Sequence, residues 1–239
     1  MSVLLKDLQF RYPGQPADSS AQIHIPHWSV AAGESVFLKG PSGCGKSTLL
    51  NLISGVLSGA QGEIEVLGQR VDQMRAGQRD RFRANQMGYV FQQFNLVPYL
   101  SALENIRLAN RLASRKQTAR PKQTNRRSTA EFEQLLDELQ LARADQHKPA
   151  TQLSIGQQQR IAIARALINQ PGLLIADEPT SSLDTDNRDN FMRLLKDRVE
   201  RDGITLLFVS HDPALAAHFD RVDEFSAINQ TVAQESPSC

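Results

Sequence analysis

The sequence predicts an α/β fold built on a mostly parallel β-sheet with helices packed against it. Short apolar segments typical of strands alternate with helical patterns near both ends of the chain, as a parallel sheet requires. Between about residues 101 and 167 the strand signals stop and helical patterns replace them, which indicates a helical insertion. For a chain of 239 residues we expect a single domain over 1–239, with a helical subdomain inserted at about 95–168.

The first third of the chain is rich in strand patterns. Val3–Tyr12 and Gln22–Val30 mix apolar and polar positions and are separated by a stretch rich in turn-forming residues. Glu34–Lys39 is a short apolar strand, and after a glycine-rich loop comes a helix whose apolar residues recur every three or four positions as far as Leu57. Two more strands are predicted at 62–68 and Met87–Gln92.

The rest of the chain returns to an alternating order after the helical insertion. Within the insertion, Glu131–Leu141 places four apolar side chains on one helix face: Phe132, Leu135, Leu136 and Leu139. Strands follow at 173–177 and 204–210, with a helix predicted at Asn187–Arg201 between them. This strand–helix–strand order predicts that the two strands are parallel.

Composition excludes several classes of function. The 27 Lys and Arg residues nearly balance the 26 Asp and Glu residues, so a dedicated nucleic-acid-binding protein is not expected. The chain has two cysteines and no run of 18 apolar residues, so we expect neither a disulfide framework nor a membrane span. Residues 107–127 contain eight basic and no acidic side chains. Because no aromatic residue lies among them, we interpret the stretch as a solvated loop beside a helix. A site for anionic lipid or nucleic acid is the alternative.

The glycine-rich loop matches the phosphate-binding pattern G-x-x-x-x-G-K-[ST] and lies between a predicted strand and a predicted helix. Its glycines let the backbone approach phosphates closely, while Lys46 is placed to reach the β- and γ-phosphates and the Ser47 hydroxyl to contact Mg²⁺. We therefore predict that ATP contacts every residue of this segment: Gly40, Pro41, Ser42, Gly43, Cys44, Gly45, Lys46, Ser47 and Thr48.

Two adjacent carboxylates end the apolar strand at 173–177. Because successive side chains of a strand point to opposite faces, Asp177 and Glu178 are expected to face different partners. Asp177 is the predicted Mg²⁺ ligand, and Glu178 the predicted partner of the attacking water. The loop and the carboxylates together indicate a nucleotidase.

The segment LSIGQ (153–157) combines a helix start with a possible anion site. Ser154 followed three residues later by Gln157, ahead of an apolar-periodic run, predicts a capping box at a helix N-terminus. Such a terminus can bind an anion, because its first N–H groups have no partner within the helix.

With these motifs in place, the chain resembles the ATP-binding cassette (ABC) ATPase family from Val3 to about Phe225. LSIGQ resembles the family signature LSGGQ, which binds the γ-phosphate of the ATP held by the opposite subunit. Tyr12 in FRYPG resembles the aromatic residue that stacks on adenine, and Gln92 in YVFQQF resembles the glutamine that reaches Mg²⁺ and couples the site to the transmembrane partner. Asp184 ends SSLD, which resembles the D-loop, and His211 in FVSHD resembles the switch histidine.

The resemblance implies a P-loop NTPase core with an antiparallel N-terminal β subdomain and an inserted helical subdomain. It assigns catalysis to four residues: Lys46, Gln92, Glu178 and His211. It assigns Mg²⁺ to three residues: Ser47, Gln92 and Asp177. It assigns ATP binding across a homodimer to four residues of the opposite subunit: Ser154, Gly156, Gln157 and Asp184.

The same resemblance implies a cytoplasmic ATPase, peripheral on the inner face of the membrane, that uses ATP and Mg²⁺ to power a separate permease. We expect the permease to dock near Gln92–Leu100 and the helical subdomain, with apolar anchors at Phe94, Leu96, Val97, Pro98 and Tyr99. Within the family the chain looks most like the lipoprotein-release and macrolide-export group.

Two positions depart from the family pattern, and two other functions stay open. Ile155 replaces the first signature glycine and Ser182 stands where the D-loop usually has alanine, but neither removes a group expected to do chemistry. The first alternative is the ATPase of a polar amino-acid importer, disfavoured because Asp212 follows the switch histidine where those importers more often have Glu. The second is a non-transport ABC ATPase that acts as a structural partner of a membrane protein.

Overall fold

The computed structural model describes residues 1–14, 22–114, 128–181 and 183–230. Ser182, Cys239 and most of the basic stretch, 115–127, lie outside the described residues, so the interpretations made for them stay predictions. The strands are β1 Val3–Phe10, β2 Ile23–Val30, β3 Ser35–Lys39, β4 Gln61–Val66, β5 Gln69–Arg70, β6 Met87–Val90, β7 Leu173–Asp177, β8 Thr205–Ser210 and β9 Arg221–Glu224. The helices are α1 Lys46–Ile53, α2 Ala76–Gln86, α3 Ala102–Ser114, α4 Thr129–Glu138, α5 Ile155–Leu167, α6 Thr185–Asp202 and α7 Phe225–Ile228. Short 3-10 helices lie at Val71–Gln73, Ala150–Gln152 and Pro213–His218.

The strands form two sheets, which confirms the predicted fold class. An antiparallel sheet has the order β2-β1-β4-β5, and a parallel sheet has the order β6-β7-β8-β3-β9. Because neighbouring strands of the parallel sheet run in the same direction, their carboxyl ends all meet at one edge. The loops after β3, β6, β7 and β8 therefore converge, and they carry the predicted phosphate loop, Gln92, Glu178 and His211.

The central strands β3, β7 and β8 of the parallel sheet are buried on both faces, as their continuous apolar sequences predict. Successive residues of β7 point to opposite sides: Leu174 packs with the helical side of the molecule and Ile175 with the antiparallel sheet and α1. The helical side includes apolar residues of α3, α4, α5 and α6, and these helices share their core with the sheet. The separate helical subdomain at 95–168 stays a prediction.

Local sequence explains where α5 and α6 begin. At α5, Ser154 Oγ accepts from Gln157 N at 3.3 Å and Gln157 Oε1 accepts from Ser154 N at 2.9 Å, so the predicted capping box is present. At α6, Asp184 caps the helix by accepting from Asn187 N at 2.9 Å, so the helix begins at Thr185, two residues before the predicted start. Gly203 ends α6 in a left-handed conformation, with φ of 63°, which glycine adopts without strain.

None of the helices in the described part of the chain has the length and apolarity needed to span a bilayer.

Candidate functional site

The phosphate loop, Gly40–Thr48, connects β3 to the N-terminus of α1. Gly43 and Gly45 have φ of 78° and 112°, values that need glycine, and they let the chain turn into the helix. No side chain caps α1, so the N–H groups of its first turn are available to an anion. Lys46 is buried, and its Nζ donates to Gly40 O at 2.7 Å and to Pro41 O at 2.8 Å. A phosphate can replace these two carbonyls as the partner of the ammonium group.

The side chains of Tyr12 and of Cys44, which is part of the loop, both pack against neighbouring residues. The Tyr12 hydroxyl lies 3.1 Å from Thr48 Oγ1, and its ring packs edge-on against Phe10 with the centroids 5.1 Å apart. The Cys44 side chain is half-buried against the apolar core, with its Sγ 3.9 Å from Lys46 Nζ.

The two carboxylates after β7 contact different partners. Asp177 interacts with the hydroxyls of Ser47 and Tyr89. Burial raises the pKa of the Asp177 carboxyl above its ordinary value, although the Ser47 hydroxyl opposes the rise. Glu178 Oε2 lies 2.9 Å from His211 Nδ1, so this carboxylate faces the loop after β8.

Glu178 has an unusual backbone for a residue with a side chain. Its φ is 49°, in the left-handed region, and its N–H donates to Val209 O at 2.9 Å. The Glu178 side chain is 15% exposed, whereas the His211 side chain is 65% exposed. His211 is therefore held mainly by its backbone.

Gln92 lies in a turn after β6 that α5 holds in place. Phe94 and Asn95 have φ of 51° and 48°, and both of their carbonyls accept from the guanidinium of Arg165. Burial lowers the pKa of Arg165. This arrangement corrects one expectation: Phe94 is 7% exposed and belongs to the apolar core, so it is not an anchor for a partner. Tyr99, by contrast, is 77% exposed.

A cleft of about 620 Å³ brings most of the predicted site residues together. Its lining residues are Gln22, Pro41, Ser42, Gly43, Gly45, Lys46, Ser47, Thr48, Gln92, Asp177, Glu178 and His211. Gln22 has no counterpart among the predicted residues. It immediately precedes β2 and belongs to no motif, so no sequence signal identifies it.

Seven predicted residues do not line this cleft, and three of them, Tyr12, Gly40 and Cys44, belong to the phosphate loop or contact it. We call the other four the signature group: Ser154, Gly156, Gln157 and Asp184. They lie at the starts of α5 and α6, which are neighbours. The Asn187 side chain joins them, because its Nδ2 donates to Asp184 Oδ2 at 2.7 Å and its Oδ1 lies beside Gly156. Both the oxygen and the nitrogen of the Gln157 side-chain amide are hydrogen-bonded within the same chain. Its Oε1 accepts from Ser154 N, and its Nε2 donates to Asp145 Oδ2 at 2.7 Å.

Comparison with known proteins identifies the arrangement. Residues 23–181 match the family model described as ABC transporter. The chain belongs to the ABC transporter family. An uncharacterized ABC transporter ATP-binding protein of Mycobacterium tuberculosis is 42% identical to this ABC protein over 190 residues, which are 80% of this chain and 73% of that protein. The lipoprotein-releasing system ATP-binding protein LolD of Anaeromyxobacter dehalogenans is 43% identical over 203 residues, 84% of this chain and 81% of LolD.

Solved structures agree with this assignment. The dimeric structure of the ABC transporter cassette MJ0796 of Methanocaldococcus jannaschii matches with a TM-score of 0.79 at 33% identity, covering 93% of each chain. A post-hydrolysis state of MJ0796 bound to ADP and Pi matches with a TM-score of 0.78 at 34% identity, again covering 93% of each chain. The present ABC protein is thus an ATP-binding subunit and an ATPase of this family.

The oxygen donors in the cleft of this ABC ATPase suit Mg²⁺. The Ser47 hydroxyl and the Asp177 carboxylate interact, and Gln92 adds an amide oxygen at the same cleft. Among the described residues no group of three or more His, Cys, Asp or Glu side chains could hold a metal ion. A site with one carboxylate is what Mg²⁺ bound to a nucleotide uses, because phosphates and waters supply the remaining ligands.

Proposed function

We propose that this ABC ATPase works as a pair of identical subunits, with ATP held between the cleft of one subunit and the signature group of the other. The observation that carries the proposal is the separation of the two sets of residues within one chain. Lys46, Asp177 and Glu178 line the cleft, whereas Ser154 and Gly156 lie at other helix starts outside its lining. The dimer formed by the related cassette MJ0796 supports this pairing.

Within the cleft, the side chains divide the reaction between them. Lys46 leaves the carbonyls of its own loop and binds the β- and γ-phosphates, where its charge opposes the negative charge that builds up during transfer. Glu178 accepts a proton from the water that attacks the γ-phosphate, and His211 orients Glu178 through their 2.9 Å contact. Ser47, Asp177 and Gln92 would hold Mg²⁺, which supplies charge neutralisation at the phosphates when it is bound.

The signature group completes the site of the opposite subunit. Ser154 is exposed and its hydroxyl can donate to a phosphate oxygen, while the N–H of Gly156 points out of the first turn of α5. Gln157 contributes by holding this helix start, because its amide already pairs with Ser154 and Asp145. Asp184 faces the partner from the start of α6. Hydrolysis therefore requires two subunits.

We further propose that the pair powers a separate permease of the lipoprotein-release or macrolide-export type, which docks near Gln92–Leu100. The similarity to LolD supports the type. Tyr99 is the strongest candidate anchor because its ring is largely exposed beside the turn that carries Gln92. Stimulation of ATP hydrolysis by a co-purified membrane protein would favour this role over that of a non-transport structural partner. Identification of the transported substrate would distinguish this role from that of a polar amino-acid importer.

The substitution Glu178→Gln tests the proposed chemistry, because it keeps the side-chain shape and removes the base. We expect ATP to bind normally, turnover to fall by about 10²–10⁴-fold, and a dimer to accumulate in ATP, measured by light scattering. Glu200→Gln is the matched control, since it makes the same change on an exposed face of α6. Near-normal turnover of the Glu178→Gln variant would refute the assignment of the base.

A further inference from the structure

An ion pair connects the first turn of α6 to the loop that carries the switch histidine. The guanidinium of Arg188 donates from Nη1 to Asp212 Oδ2 at 2.9 Å and from Nε to Asp189 Oδ1 at 3.2 Å. Arg188 N also donates to Asp184 O at 2.9 Å, within the first turn of the helix. The pair joins residues 24 positions apart in sequence, and the side chains of Arg188 and Asp212 are 23% and 33% exposed.

Asp212 is fixed from several directions. Its Oδ1 accepts from Ala214 N at 2.9 Å and caps the 3-10 helix Pro213–His218, while its own N–H donates to Ser210 Oγ at 3.1 Å. Its second oxygen, Oδ2, accepts from Arg188. Three groups therefore hold the peptide that follows His211.

His211 has little packing of its own. About two thirds of its side chain is exposed, and its ring is placed by the 2.9 Å contact with Glu178 and by its backbone. Where the backbone at 211–212 lies therefore decides whether the ring meets Glu178.

We propose that Arg188 is a positioning residue for ATP hydrolysis: it holds Asp212, and through the adjoining peptide it keeps His211 against Glu178. This inference rests on the proposed function, in which His211 orients the base. It adds that the placement of His211 depends on the first turn of α6, the same turn that begins with Asp184 of the signature group. The first turn of α6 thus connects two residues: Asp184, which faces the opposite subunit, and His211, which lies in the cleft of the same subunit.

The alternative is that the ion pair is only a surface contact. Exposed ion pairs contribute little to stability, and under this alternative the loss of the pair would leave turnover unchanged. The two possibilities differ in how kcat, KM and the His211 ring respond, because a surface contact affects none of these three quantities.

The test uses a double-mutant cycle on the full-length protein. Arg188→Gln removes the positive charge, and Asp212→Asn removes the acceptor at Oδ2 while an amide oxygen remains to cap Ala214. Arg193→Gln is the matched control, because Arg193 lies on the same helix, is exposed, and contacts Asn190 of that helix. Arg188→Lys keeps the charge and measures rescue.

We expect each single variant to lower kcat by about 3- to 30-fold, the size of coupling between residues in contact. The double variant should be no slower than the slower single variant. The KM for ATP should stay within about twofold, because Arg188 does not line the cleft. The ring nitrogen signals of His211, assigned with His211→Ala, should move in Arg188→Gln and not in Arg193→Gln, and Arg188→Lys should recover part of kcat.

Two results would overturn the inference. If Arg188→Gln retains normal kcat and His211 signals while His211→Ala abolishes turnover, the proposed function stands and the role of Arg188 is wrong. If the effects of the two single variants multiply in the double variant, the residues act independently and the ion pair does not position His211. Normal turnover of His211→Ala would instead refute the role proposed for the histidine itself.

Discussion

Adding a single methyl group at Gly156 should slow hydrolysis strongly without unfolding the protein. Gly156 is the second residue of α5 and needs no positive φ, so its importance lies in the space around it. In the proposed dimer its N–H donates to the γ-phosphate of the opposite subunit. A lost hydrogen bond to a charged group costs about 1.5–3 kcal/mol, which corresponds to a fall in turnover of about 10- to 150-fold.

The same methyl group has a second effect inside its own chain. A Cβ at Gly156 would lie 3.3 Å from Asn187 Oδ1, so the amide must move by a few tenths of an ångström while its Nδ2 is bound to Asp184. Alanine also favours the helix over glycine by up to about 1 kcal/mol, which offsets this strain. We therefore expect the free energy of unfolding of Gly156→Ala to stay within about 1 kcal/mol of the original value.

Steady-state ATPase assays on a set of variants separate the two effects. Gly156→Ala should lose at least about tenfold in turnover while still binding a fluorescent ATP analogue at the Lys46 loop. Ile155→Gly is the neighbouring control, and since the Ile155 side chain is 53% exposed at the first helical position, it should change turnover by less than about threefold. Restoration of activity by adding Asn187→Ala to Gly156→Ala would refute the phosphate argument, because the defect would then come from the contact within the chain.

Three further predictions follow from other parts of the molecule. Turnover per subunit should rise with protein concentration in the dilute range, because each cleft needs a second copy; strictly constant turnover, measured by phosphate release, would contradict the pairing. Tyr99→Ala should abolish stimulation by a permease and leave basal ATPase activity within about twofold, since the ring is largely exposed; an equal loss of both activities would mean that Tyr99 supports the fold. Asp72→Asn should lower the free energy of unfolding by about 1–3 kcal/mol at pH 7, measured by urea denaturation, because Asp72 accepts two hydrogen bonds from Arg70.

The pH dependence of the Asp72 effect has a definite sign. Burial alone would raise the pKa of Asp72, but the hydrogen bonds from Arg70 and from the Ile64 N–H outweigh burial and lower it in the folded protein. A lowered pKa stabilises the fold above the unfolded value, about 3.9, and this stability is lost as the pH falls through the folded value. The difference in the free energy of unfolding between Asp72→Asn and the original protein should therefore be smaller at about pH 3 than at pH 7. An equal difference at pH 3 and pH 7 would contradict the assignment.

Sequence patterns located the parts of the site that lie on continuous segments. The phosphate loop and the carboxylates after β7 each combine an apolar strand with a short polar motif, and a parallel sheet brings such strand ends to one edge. The Ser154 capping box was also predictable, since both of its partners lie within four residues.

Features that depend on distant residues or on polar helices could not be predicted in this way. Helix α2 buries one side chain, Phe82, so it has no apolar period to detect. Phe94 lies in an apolar segment that resembles a docking surface, and its burial depends on α5 holding the turn through Arg165. The pair of Arg188 and Asp212 spans two elements, and nothing in either local sequence indicates that they meet.

The left-handed backbone of Glu178 has a consequence for how this protein can evolve. A residue with a side chain in that conformation costs about 1–2 kcal/mol relative to glycine, so the fold is less stable than it would be with glycine at this position. Selection for heat resistance alone would therefore favour loss of the carboxylate that hydrolysis needs. A thermostable homologue that remains active must therefore gain its stability at other positions, because Glu178 is needed for hydrolysis although it lowers the stability of the fold.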